Sequence, residues 1–310
     1  MKNSNVTVII PAYQEAANIG SVVRKIRQLH PHFEIIVIDD GSTDNTSDAA
    51  LAADAVVIQH PYNIGNGAAV KSGIREASGE ILVLMDGDGQ HDPEDIAKLL
   101  AYIPTYDMVV GARSFNNQAT LGRALGNKIY NWLASYVAKF RIQDLTSGFR
   151  AIKTDVAKSF IYLLPNTYSY PTTITLGVLR DGLSVRYVPI IVNQRAKGSS
   201  NIRLFRDGVK FFMIITRICT LYSPMRVFLP VCFFMFLGGV INYLFTYFSQ
   251  GRFTNMSALL IIGAIIIFMM SLVSEQICQM RYERRTRGQK NRKLEAVAQN
   301  ENVEHERKNV

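Results

Sequence analysis

The chain has 310 residues, a hydrophobic fraction of 48% and a formal net charge of +9. Its length allows one large domain or two smaller ones, and three cysteines without metal-ligand spacing (Cys219, Cys232 and Cys278) argue against a disulfide framework. The cations crowd beside apolar segments, as in Arg281, Arg284, Arg285, Arg287, Lys290, Arg292 and Lys293. That placement fits anionic lipid and the positive-inside rule, and it argues against nucleic acid as a partner.

The opening MKNSNVTVIIPAY lacks the long apolar core of a signal peptide and breaks at Pro11, so the head is expected to stay in the cytoplasm. Short apolar runs then alternate with helical patterns. Val6–Ile10, Glu34–Ile38, Ala55–Ile58, Ile81–Met85 and Asp107–Gly111 read as strands; Asn18–Leu29, Asp44–Ala53, Gly67–Ala77 and Pro93–Tyr102 read as helices. Ser42 or Asp44 is expected to cap the second helix, and Pro93 to open the fourth. The β-branched, continuously apolar strands suit a mostly parallel sheet covered on both faces, which is an α/β architecture.

The character changes after Lys197. Arg203, Arg206, Lys210 and Arg217 recur at helical spacing opposite Phe205, Phe212, Ile215 and Cys219, which predicts a basic amphipathic helix lying on a membrane surface and ending before Pro224. Val227–Phe248 and Ser257–Ser274 carry no internal charge and are long enough to cross a bilayer, the second only just. Basic residues follow the second span, while Arg252 alone marks the connecting loop, so head and tail are expected to be cytoplasmic. Residues 296–310 are polar and expected to be disordered.

Polar motifs follow the strands: PAYQE, DDGSTDN and DGDGQHD, with GAR as the fifth strand ends. Ligands of open α/β sheets bind outside the carboxyl ends of the strands, so four clusters aim at one rim. Asp86 and Asp88, two apart on a strand end, can face one ligand, and the flanking Gly87 and Gly89 let it approach. Two carboxylates this close call for a cation between them. Hard oxygen ligands suit Mg²⁺ or Mn²⁺ shared with a diphosphate, with Gln90 adding a neutral oxygen. His91 reads as a turn histidine in preference to a ligand. Asp39 and Asp40 can accept hydrogen bonds from a base or ribose, and Pro11, Tyr13 and Glu15 offer a wall, a ring and an acceptor. Lys71, beyond Gly65-Asn66-Gly67, meets either a phosphate or solvent; the turn is not a P-loop, because its Gly-Lys-Ser/Thr ending is absent.

The segments VIIPAYQEAANI, IIVIDDGSTDNT, NIGNGAAVKSGIREASGEILVLMDGDGQHDPEDI, VVGAR, DLTSGFRAI and QRAKGSSN resemble the inverting family 2 glycosyltransferases with a GT-A fold, a Rossmann-like, mostly parallel α/β domain. Their order and spacing are most similar to the branch that makes polyprenyl-phosphate sugars, over about residues 6–200 and with a hairpin like that of bacterial members. The resemblance implies a catalytic domain at 1–200, an amphipathic juxtamembrane helix at 201–224, a transmembrane hairpin at 225–280 (spans at about 227–248 and 257–277) and a basic cytoplasmic tail at 281–310. It gives Pro11, Tyr13, Glu15, Asp39 and Asp40 to the nucleotide, and Asp86, Asp88 and Gln90 to the metal on the donor diphosphate. Arg113 would line the sugar and diphosphate pocket, Asp144–Arg150 would border acceptor and donor sugar, and Gln194, Arg195, Lys197 and Ser199 would close over the donor. The Q-x-x-R-W signature of processive synthases is missing, which favours single transfer.

A lipid phosphate acceptor has a second pKa near 6, as other phosphate monoesters do, so it is mostly ionised at neutral pH and needs no strong general base. Arg123, Lys128 and Arg150 are candidates to position it, since guanidinium pairs well with phosphate; metal at Asp88 would stabilise the leaving diphosphate. Asp144 either orients the acceptor or caps its loop beside Thr146 and Ser147. The expected catalytic set is therefore Asp88, Asp144 and Arg150. The expected partners are a UDP- or GDP-linked sugar, polyprenyl phosphate and membrane lipid, in the inner cell membrane, and paired hairpins make a homo-oligomer plausible. Two rivals stand beside this reading: transfer to another membrane acceptor such as diacylglycerol or a lipid-linked oligosaccharide, and a non-catalytic scaffold that binds a nucleotide sugar.

Overall fold

The computed structural model describes residues 6–113, 131–132, 134–136, 138–167, 169–191, 223–252 and 254–280. The predicted juxtamembrane helix, Cys219 and the basic tail lie outside them, as do Arg123, Lys128, Gln194, Arg195, Lys197 and Ser199. The chain divides into two compact units, Met1–Ile218 and Cys219–Val310.

In the first unit, strands β1 (Val6–Ala12), β2 (Glu34–Asp39), β3 (Val56–Gln59), β4 (Ile81–Leu84), β5 (Met108–Arg113), β6 (Arg150–Lys153) and β7 (Val185–Ile190) form one sheet in the order β3-β2-β1-β4-β6-β5-β7. Helices α1 (Ile19–Leu29), α2 (Thr46–Leu51), α3 (Asn66–Glu76), α4 (Asp95–Leu100), α5 (Thr154–Phe160) and α6 (Tyr170–Arg180) connect them. Both strand faces of β1, β2 and β4 are apolar because both are covered: Val8, Ile9, Ile10, Val37, Ile38, Leu82, Val83 and Leu84 have no exposed surface. Helix α1 meets this core with Ile19, Val22, Val23 and Ile26, the one-face spacing of an amphipathic helix. Each such side chain contributes about 1.5–3 kcal/mol by leaving water.

All five predicted strands form, and the pairing is parallel except at β6, which runs antiparallel to β4 and β5. Strands β6 and β7 are additions to the sequence reading. Pro11 is tolerated inside central β1 because β4 pairing stops at Ile9 opposite Leu84, so the missing N–H points past that strand's end. Helix α4 starts at Asp95, later than expected at Pro93, whose carbonyl instead accepts the Ile96 N–H (3.1 Å). Of the two candidate caps of α2, Asp44 receives the Thr46 N–H at 3.2 Å, while Ser42 accepts the Gln14 N–H at 3.0 Å.

The second unit holds α7 (Pro224–Gln250) and α8 (Asn255–Met280), each long and apolar enough to cross a membrane. Only 11% and 17% of their apolar windows are buried, whereas the core helix of a soluble protein would be mostly covered. Polar bonds fasten the pair at both ends. At the connecting loop, Asn242 Oδ1 accepts hydrogen bonds from Ser257 (2.8 Å) and Thr254 (3.2 Å). At the other end, Glu275 accepts from Ser223 Oγ (3.1 Å) and the Met225 N–H (3.3 Å), covering the start of α7 with negative charge. Cys232 and Cys278 are buried free thiols.

Candidate active site

The loops after β1 and β2 form one platform. The Gln14, Glu15 and Ala16 N–H groups donate to Ser42 Oγ (3.0 Å), Thr46 Oγ1 (2.9 Å) and Asp44 Oδ2 (3.2 Å), which leaves the Tyr13 ring exposed beside Pro11. The adjacent acids turn inward. Asp39 accepts the Ser42 N–H (2.9 Å) and the Ser47 hydroxyl. Asp40 meets His60 Nδ1 (2.7 Å) and accepts the N–H groups of Ile64 (3.1 Å) and Gly65 (2.7 Å). Both are buried, and their hydrogen bonds shape the two rim loops. His60, which sequence reading missed, completes this network through Ser72 at 2.9 Å.

Lys71 is also committed within the protein. It donates to Asn166 Oδ1, while the Gly67 and Ala68 N–H groups donate to the Asn166 carbonyl at 2.9 and 3.3 Å. The start of α3 is thus capped by a protein carbonyl, and burial lowers the Lys71 pKa. The contact lies at the exposed surface and uses one of the three N–H donors of Lys71.

Asp86 and Asp88 follow β4 at the carboxyl end of the sheet. Because β6 is antiparallel, the segment that leads into it arrives at that same end, and Leu84 sits opposite Arg150. Asp144, Ser147 and Gly148 are thereby brought to the acidic motif. A Cβ on Gly148 would lie 2.8 Å from Asp86 Oδ2, so the bare glycine lets that carboxylate pack against the backbone. Asp88 Oδ1 accepts the Gln90 N–H at 3.1 Å.

Asp144 and Arg113 form the strongest contact at this rim. Arg113 donates from Nε to Asp144 Oδ2 (2.7 Å) and from a terminal nitrogen to Oδ1 (2.9 Å), a bidentate pair, and also reaches the Thr146 hydroxyl. Burial by itself raises the Asp144 pKa, but the Arg113 hydrogen bond and charge, with the Arg113 and Thr146 N–H groups, outweigh it and hold the carboxyl below its usual range. Asp144 is therefore an ionised acceptor with weak basicity.

His91, expected in the turn, instead follows it as a buried bridge residue. Its ring stacks on Phe149 (centroids 5.0 Å apart, 18° between planes) with Nε2 3.9 Å from Asp86. Burial, opposed by the charge of Asp88, pushes its pKa down to about 4, so the ring is neutral near pH 7.

Arg150 departs from its expected roles. It has no exposed surface, and its guanidinium donates to the Pro171 carbonyl (3.1 Å), Thr175 Oγ1 (3.0 Å) and the Ser147 carbonyl. It fastens the Ser147 turn to α6 from inside the protein, where an acceptor phosphate does not reach. A buried arginine inside RAIK, a four-residue strand, has no signal in the sequence that distinguishes it from a phosphate ligand.

The residues at the acidic rim fit a divalent cation. The donors are hard oxygens, and Gly148 lets the Asp86 carboxylate take its place at the rim. Among the described residues no group of three or more His, Cys, Asp or Glu could hold a metal alone. An ion there would be carried by one or two carboxylates plus ligand phosphates, as Mg²⁺ is in phosphate-transferring sites.

Comparison with known proteins agrees with this geometry. The family description Glycosyl transferase family 2 matches residues 7–160, and GtrB C-terminal hairpin matches residues 223–280. The polyprenol monophosphomannose synthase of Mycolicibacterium smegmatis is 30% identical over 211 residues, covering 63% of this chain and 80% of that protein. The undecaprenyl-phosphate mannosyltransferase of Micrococcus luteus is 28% identical over 211 residues, 64% of this chain and 87% of that protein. A crystal structure of glucosyl-3-phosphoglycerate synthase from Mycobacterium tuberculosis with Mn²⁺ and UDP shares the fold, with a TM-score of 0.56 at 22% identity over 70% of this chain and 80% of that one. The chain belongs to the family 2 glycosyltransferases, with a GT-A domain followed by a membrane hairpin. It is therefore a sugar-transferring enzyme, and the resemblance read from its motifs is borne out.

Proposed function

We propose that this chain is an inverting hexosyltransferase that moves one sugar from a UDP- or GDP-linked donor to polyprenyl phosphate at the cytoplasmic face of the inner membrane. The observation that carries the reading is the union, in one chain, of the Asp86–Asp144 rim with a hairpin of two membrane-length helices. The named relatives, a polyprenol monophosphomannose synthase and an undecaprenyl-phosphate mannosyltransferase, support the acceptor class. Orientation follows from the basic run after α8 against a single arginine, Arg252, between the helices.

The depressed pKa of Asp144 supports a mechanism without a general base, because a phosphate monoester with a second pKa near 6 arrives already ionised. Asp144 instead holds Arg113 toward the donor. Tyr13, Pro11 and Glu15 face the nucleotide, while Asp39 and Asp40 keep its loops in shape. Asp86 and Asp88, with Gln90, would hold Mg²⁺ or Mn²⁺, which when bound stabilises charge on the departing diphosphate. With Arg150 buried, Arg123 and Lys128 are assigned to the acceptor phosphate, and Gln194, Arg195, Lys197 and Ser199 to the donor, on the resemblance of their motifs.

The test is incubation of the full chain with a panel of UDP- and GDP-sugars and undecaprenyl phosphate, with Mg²⁺, Mn²⁺ or chelator. One donor should give a lipid-linked monosaccharide only with metal, and Asp88→Ala should lower turnover on the order of 10²–10³-fold. Absence of lipid-linked product from every donor, or product on diacylglycerol alone, refutes the reading. Full complementation by Asp88→Ala would leave a scaffold in its place.

A further inference from the structure

Tyr62 follows β3 at the carboxyl end of the sheet, in the segment His60-Pro61-Tyr62-Asn63, and it is 66% exposed. Among the described residues no hydrogen bond or ring contact holds its side chain. Its backbone, by contrast, is fixed on both sides. Before it, the His60 N–H donates to the Asp39 carbonyl (2.8 Å), and the His60 ring meets Asp40 (2.7 Å) and Ser72 (2.9 Å). After it, the Ile64 and Gly65 N–H groups donate to the same Asp40 carboxylate. Gly41, at φ +75°, lets the two loops close on each other, since a Cβ there would lie 2.6 Å from Tyr62 Cα. A solvated surface tyrosine needs no such frame.

We propose that Tyr62 is a donor-binding residue whose ring stacks on the nucleobase, opposite Tyr13. The inference rests on the reading of this rim as a nucleotide-sugar site. Sheet order then sets the direction of the nucleotide. Asp86 and Asp88 follow β4, which lies on one side of β1, while β2 and β3 lie on the other. A nucleotide with its diphosphate at the acidic motif and its ribose across the end of β1 therefore carries its base toward β2 and β3.

Spacing supports two rings at that end. Tyr13, itself 44% exposed, follows β1, and Tyr62 follows β3, with Asp40 and Gly41 between them. The Asp40 N–H donates to the Ala12 carbonyl (2.9 Å), which ties the end of β1 to the same frame that holds Tyr62. Strands two apart in a sheet lie roughly 9–10 Å from each other. A base with a ring on each side needs about 9–14 Å between the outer ring centroids, because each stacked pair takes about 4.5–7 Å. Every base has a π-face, so the contact supplies affinity without choosing between uracil and guanine. The rigid loop lets that affinity be gained with little ordering cost on binding.

Calorimetric titration of the full chain with UDP, GDP and inorganic pyrophosphate, each with Mn²⁺, tests the assignment without any acceptor. Tyr62→Ala should weaken binding of the preferred nucleotide by roughly tenfold. Tyr62→Phe, which keeps the ring, should bind as the wild type does, and pyrophosphate, which has no base, should not distinguish the variants. With transfer as the readout, Tyr62→Ala should raise the donor KM and leave kcat in place. Unchanged nucleotide binding by Tyr62→Ala overturns the proposal, and so does an equal loss in Tyr62→Phe. A matching loss of pyrophosphate binding also overturns it, by making Tyr62 a support of the loop. Wild-type protein that binds neither UDP nor GDP would refute the nucleotide-sugar reading and this inference together. Nucleotide binding that Tyr62→Ala leaves intact would remove this inference alone.

Discussion

Asp144 and Arg113 bear directly on the chemistry proposed for the rim. A carboxylate whose pKa is held below its ordinary range by a bidentate guanidinium is a poor proton acceptor near neutral pH but a firm anchor. Asp144→Asn should therefore lower kcat by loosening Arg113 while leaving the acid limb of the pH–rate profile where it was. A shift or loss of that limb would return the role of base to Asp144. His91 makes a second, opposite use of burial. Its folded pKa of about 4 lies below the ordinary histidine value of about 6.5. Between those two pH values the unfolded chain takes up a proton that the folded one refuses, so stability falls as pH drops from about 6.5 to about 4 and levels off below. The gap is worth about 3 kcal/mol. Thermal unfolding of the chelator-treated protein should show this slope, and His91→Phe, which keeps a ring on Phe149, should flatten it.

At the scale of elements, the decisive piece is β6. Its antiparallel direction delivers the Asp144–Phe149 segment to the end of the sheet where β4 releases Asp86. Gly148 is the point of closest approach. Gly148→Ala puts a methyl group 2.8 Å from Asp86 Oδ2 and must displace the carboxylate. The metal concentration required for half-maximal transfer should then rise by on the order of 10–100-fold, as it does when groups that orient metal ligands are disturbed, with the fold intact by circular dichroism. An unchanged metal requirement would remove Asp86 from the cation site. The rim was legible as a set of motifs because each follows an apolar run; that Asp40 turns into the protein and that Lys71 meets Asn166 was not, since His60, Ile64 and Gly65 lie 20 to 25 residues from Asp40 and Asn166 lies 95 from Lys71.

At the scale of the whole molecule, charge and hydropathy separate two kinds of surface. The acidic motif is confined to the sheet rim, whereas the net charge of +9 is carried largely beside apolar segments. Transfer in vesicles should therefore increase when phosphatidylglycerol is added, and the gain should disappear at high salt, where the Debye length shrinks to about 3 Å near 1 M. Equal rates on neutral and anionic vesicles would show that the basic excess does not serve lipid binding. The same separation made the hairpin readable: α7 and α8 carry their signal in consecutive residues, and their observed limits, Pro224–Gln250 and Asn255–Met280, extend the expected spans by only a few residues at each end.

Sequence by itself determined the α/β class, the five parallel-type strands, the membrane hairpin and the family, because periodicity, continuous apolarity and strand-end motifs are local properties. Tertiary structure alone decided which polar residues turn inward and which remain at the rim. Arg150 looks like a phosphate-binding arginine in DLTSGFR and is instead sealed beneath the Ser147 turn by Pro171 and Thr175. Trp132 looks like an ordinary helical residue and is instead left outside the core. A side chain's partner is fixed by strand direction and by contacts across the chain, and neither is written in its immediate neighbours.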